Sequence, residues 1–129
     1  MNWQDIALVA AGVIGGGTAV VHGVLVQRLM VRPLAASLAG KPTPGAIRRL
    51  VPLLLHFSTI AWFLGGLVLV AAAVRLDGGA RLASGLFVGA TYLFGALGNL
   101  WATRGRHPGW MLMAAALVLI AFGLAGTGG

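Results

Sequence analysis

"LVPLLLHFSTIAWFLGGLVLVAAAV", residues 50–74, contains no Asp, Glu, Lys or Arg, yet it carries His56, Ser58 and Thr59. A helix of that length rises at about 1.5 Å per residue and outreaches the ~30 Å hydrocarbon core of a bilayer. A buried helix of a small soluble domain has no use for so long a run without charge. This stretch is therefore expected to cross a membrane.

Three further runs repeat the pattern, over residues 6–26, 82–102 and 110–125. The last is short, and Pro108 fits its first turn, where a missing N–H costs nothing. The chain of 129 residues is 59% hydrophobic and only 9% charged, with a mean hydropathy of +0.96. Soluble domains carry roughly 25% charged residues, and this chain has too few to make a polar shell. The expected fold class is all-α: a single integral membrane domain over residues 1–129, an antiparallel up-down bundle of four transmembrane helices.

The connections are marked by breakers. "RPLAASLAGKPTPGAIRR", residues 32–49, is rich in proline and glycine, "RLDGGAR" and "TRGRHPGW" read as turns, and "GTGG" reads as a frayed tail. "MNWQDIALVA" has no Lys or Arg ahead of its apolar run, so the first span is expected to be retained rather than cleaved as a signal. Trp3, Trp101 and Trp110 fall near span ends, where indole rings favour the interface, whereas Trp62 lies mid-span as a packing residue.

Charge orients the bundle. Arg28, Arg32, Lys41, Arg48 and Arg49 follow the first span, and Arg104 and Arg106 follow the third. The opposite side has only Arg75 and Arg81, together with both acids, Asp5 and Asp77. The positive-inside rule places the basic connections in the cytoplasm and both termini outside. So strong a bias excludes dual topology. The net charge of +7 then serves topology and anionic headgroups, with Arg48, Arg49, Arg104, Arg106 and His107 as phosphate contacts. Nucleic acid is not an expected partner.

Small residues supply close helix contact in lipid. Gly12 and Gly16, Gly65 and Gly66, Gly85 and Gly89, and Gly123 are placed to do so. These faces either pack the four helices together or dock a second copy or a larger membrane complex.

The intramembrane polar residues are few: Thr18, His22, His56, Ser58, Thr59, Ser84, Thr91, Tyr92 and Asn99. Small multidrug exporters have the same size and helix count but keep a glutamate in their first span, and there is none here. Small fluoride channels are compact four-helix proteins too, but their phenylalanine- and threonine-rich filter has no counterpart. No cysteine is present, which excludes disulfides and thiolate sites. There is no Ser-His-Asp set, paired carboxylate or soluble phosphate loop to support conventional enzyme chemistry.

His22, six residues before Arg28, and His56, seven after Arg49, are expected at nearly one depth, with Asn99 similarly placed before Arg104. Three readings follow. The histidines are helix-helix glue, or they supply two axial imidazoles to a haem b, or one of them serves proton or quinone chemistry. Two imidazoles without an acid or thiolate cannot close a zinc site, so iron in haem is the metal expected on His22 and His56.

"VVHGVLVQRLMVRPL", "RRLVPLLLHFSTIAWF" and "ATRGRHPGW" together resemble a group of short four-helix bacterial inner-membrane proteins of unassigned function. The resemblance implies four helices in a bacterial cytoplasmic membrane and no particular activity. The expected function is a non-catalytic accessory or self-associating membrane subunit. The alternatives are a bis-histidine haem b redox module on His22 and His56, and a small channel or transporter.

Overall fold

The structure, a computed structural model, describes residues 1–125; the "GTGG" tail lies outside the described residues. It is all-helical. Helix α1 covers Trp3–Leu38, α2 Gly45–Arg75, α3 Gly78–Thr103 and α4 Gly109–Leu124. The first three are long and apolar enough to cross a membrane, and α4 is a shorter apolar helix of 16 residues. Successive helices pack on one another and α1 closes on α4.

Each boundary has a local cause. Asn2 and Asp5 form a capping box at the start of α1: the Asn2 side chain accepts from the Asp5 N–H at 2.9 Å, and Asp5 accepts from the Asn2 N–H at 3.0 Å. Leu76 and Asp77 suffice to separate α2 from α3. Arg104 ends α3 in the left-handed region at φ 51°, followed by Gly105 at φ 76°.

The expected break over residues 32–49 is much shorter than its composition suggests. Helix α1 continues through Leu38 and α2 begins at Gly45, so only residues 39–44 are non-helical. Pro33 is accommodated because the ladder widens to a π-helix over Gln27–Val31 just before it, with the Arg32 N–H donating to Gln27 O. A proline lacks the N–H that an α-helical ladder needs at its position, and a local π-turn absorbs the mismatch. The chain actually turns at Gly40, at φ 83°, and through the Lys41–Pro44 segment.

The core is closest around the middle of the bundle. Leu8, Leu69, Val88, Tyr92 and Met113 are fully buried there. Helices α1 and α2 cross backbone to backbone: a Cβ on Gly66 would sit 2.6 Å from Gly12 O. Tyr92 lies across the bundle axis against Gly15, and its hydroxyl donates to Trp62 O at 3.1 Å. Gly123 leaves room for Leu8, and Gly85 for Leu124. Trp62 is buried, as a packing residue should be, while Trp3 and Trp101 are exposed.

Candidate functional site

The α1–α2 seam holds both span histidines. Pairs along it run in opposite directions, with Gly12 beside Gly66, Gly23 beside Thr59, and Gln27 beside His56. His22 Nε2 lies 3.2 Å from Ser58 Oγ, and its ring packs on Trp62 with centroids 4.6 Å apart. His56 Nε2–H donates to Gln27 Oε1 at 3.0 Å, at the first residue of the π-turn.

That register separates the two imidazoles. His22 lies opposite Ser58 and His56 opposite Gln27, so their levels differ by about one helical turn, roughly 5 Å. The expected equal depth took Arg28 and Arg49 as matched rulers. Because the helices continue through both arginines, the charges do not mark one level.

A haem between His22 and His56 would need free imidazole lone pairs and an open seam. The Nε2 of His56 donates to Gln27, which leaves the ring's lone pair on Nδ1 alone. The Thr59 methyl also packs directly on Gly23, between the two levels. As arranged, the seam between His22 and His56 is closed by the Gly23–Thr59 contact.

The remaining polar residues divide between local bonds and open space. Thr18 donates to Ile14 O at 2.7 Å, and Asn99 Nδ2 donates to Gly95 O at 2.9 Å. Such bonds back to the preceding turn are the usual fate of short polar side chains in helices. Thr59 Oγ1 is buried with no hydrogen-bond partner. Arg48, Arg49, Arg104 and Arg106 are exposed, whereas His107 is half-buried. His107 Nδ1 accepts from the Gly109 N–H at 3.0 Å, and Trp110 Nε1 donates to Gly105 O at 3.2 Å, which fixes the turn ahead of α4.

The structure therefore gives His22 different company from that expected. His22, Asn99, Trp62 and His107 line one cleft of about 340 Å³ between α1 and α4. His22, Asn99 and Trp62 also border a second cleft of about 210 Å³ beside Ser58 and Phe94. His22 and Asn99 line the same cleft, and the second imidazole there is His107.

One charged site was not anticipated. Arg81 is buried, with Nη1 2.6 Å from Asp5 Oδ1 and Nη2 donating to Gly123 O at 3.1 Å. It ties α1, α3 and α4 together at the end away from the basic connections. Counting Asp5 and Arg81 to the same side of the membrane was the available signal for their meeting.

Among the described residues, no group of three or more His, Cys, Asp or Glu side chains is placed to hold a metal ion. With three helices long and apolar enough to cross a membrane, the bundle is that of a helical membrane protein. No family model, curated protein or solved structure matches the chain.

Proposed function

We propose that the protein is a non-catalytic, multi-pass subunit of a bacterial cytoplasmic membrane, associating with itself or with a larger complex. Its four helices would run up and down, with both termini outside and the basic connections in the cytoplasm.

The observation carrying this reading is the α1–α2 hairpin. Helices of 36 and 31 residues reach ~54 and ~46 Å, well beyond the ~30 Å they must cross. No residue of Arg32–Leu38 is buried, and the buried residues of α2 begin only at Trp62. Leu29, Met30, Leu34 and Ile47 are exposed at the hairpin's end, interleaved with Arg28, Arg32, Arg48 and Arg49. Apolar side chains past the hydrocarbon call for cover, and the arginines favour anionic headgroups beside it. Arg104 and Arg106 would add to the same basic face.

Native mass spectrometry after mild extraction from the producing membrane tests the reading. An assembly larger than the 13.1 kDa chain that dissociates in Leu34→Glu/Ile47→Glu supports it. A bare monomer in both proteins overturns it. A Soret band lost in both His22→Ala and His56→Ala would replace it with the haem alternative, which requires the seam to open. Because the chain has no cysteine, Thr43→Cys and Gly79→Cys also test orientation. An impermeant maleimide added outside should label only the second.

A further inference from the structure

The cleft between α1 and α4 has a built wall, mouth and floor. Two adjacent rows of α1, at four-residue spacing, form one wall: Ile14, Thr18 and His22 point inward, and Val13, Gly17 and Val21 form the rim. Val13 and Val21 are 64% and 59% exposed, and Leu112 across from them is 47% exposed, so the mouth opens sideways, toward hydrocarbon. Its occupant arrives from lipid.

The polar groups within narrow its chemistry. No Asp, Glu, Lys or Arg lines the cleft, so nothing there pairs with a phosphate, a carboxylate or an ammonium group. His107 Nδ1 is occupied by the Gly109 N–H, which leaves the neutral ring with its proton on Nε2, a hydrogen-bond donor. Gly109 permits this: a Cβ there would sit 2.9 Å from His107 Nδ1 and displace the ring. Asn99 spends one amide hydrogen on Gly95 O and keeps the other. His22 engages Ser58 through Nε2 alone. Trp62, packed on His22, also lines the cleft.

Donor side chains lining an apolar cleft, an aromatic residue beside them and a lipid-side mouth match a flat, uncharged, lipid-soluble molecule with carbonyl oxygens. The volume of about 340 Å³ falls within the usual range of small-molecule sites, roughly 300–1,000 Å³. Polar groups facing space inside a membrane protein are costly and mark function. We infer that the His22–Asn99–His107 cleft binds the ring of a quinone, with His107 and Asn99 donating to its carbonyl oxygens and the tail leaving between Val13 and Val21. This site is independent of the hairpin reading and of any haem.

Tryptophan quenching by decylubiquinone, with the protein in nanodiscs, tests the assignment, with decylbenzene as a carbonyl-free competitor. Saturable quenching is expected, and decylbenzene should compete roughly tenfold less well. Gly17→Leu adds bulk at the rim, where a Cβ meets nothing within 4 Å. It should weaken binding by roughly tenfold while the fold stays intact. His107→Leu and Asn99→Leu should each weaken it several-fold. Non-saturable quenching, or quenching unchanged in Gly17→Leu, shows partitioning into lipid and overturns the proposal. Equal competition by decylbenzene makes the cleft an acyl-chain groove and overturns it too.

Discussion

The two halves of this bundle use the same residue types to opposite ends. Around Gly12, Gly66 and Tyr92 the glycines let backbones and a phenol close the interior. One to two turns further along, Gly17 and Gly98 meet nothing, and clefts flank His22 and Asn99. A glycine in a membrane helix thus either admits a neighbour or leaves a space, and sequence spacing alone does not distinguish the two. The closed half supplies close packing, and the open half leaves room for the proposed ligand.

Gly66→Leu should break the closed half most severely. Its side chain would meet backbone on α1, which cannot rotate away, and overpacking of this kind costs about 3 kcal/mol. A thermal or SDS unfolding series should show that loss, whereas Gly17→Ala should unfold like the parent. Equal losses at both positions would erase the distinction between the halves.

Arg81 sharpens the comparison at the far end. Arg81→Met strands Asp5 and removes the tie to Gly123 O, so the melting temperature should fall clearly. Adding Asp5→Asn should restore part of the loss by removing the unpaired carboxylate. If the double variant melts lower than Arg81→Met, the pair is not the source of the clamp. Tyr92→Phe is a smaller change, removing one hydroxyl that donates to Trp62 O, at a cost of about 1 kcal/mol in the same unfolding assay.

The closed half was the more legible in the sequence. The runs at 50–74 and 82–102 became α2 and α3 because length and apolarity alone specify a span. Trp62 as a packing residue followed from its mid-span position. The helical reach through Pro33 was not legible, because a π-turn is a negotiated ladder rather than a composition. Nor was the company of His22. Depth along a helix can be counted, but rotation and partner choice are set by the packing, which gives His22 to Ser58 and His56 to Gln27. His107 looked like part of a basic loop because Arg104 and Arg106 flank it; the bond from the Gly109 N–H turns it inward instead.

The smallest expected effect tests the histidines themselves. If His22 and His56 are both mere helix-helix glue, their pairs should couple alike, by about 0.6 kcal/mol on average for bonds inside membrane proteins. The geometry argues otherwise. His56 donates to Gln27 at 3.0 Å, whereas His22 meets Ser58 at 3.2 Å and lines two clefts. A double-mutant cycle on His56→Ala and Gln27→Ala should therefore return a measurable coupling, and one on His22→Ala and Ser58→Ala a value near zero. Space beside an imidazole gives it somewhere else to turn, which weakens a structural bond and suits a ligand contact. A stronger coupling at His22 than at His56 would make His22 the structural residue, and the open half would lose its claim to function.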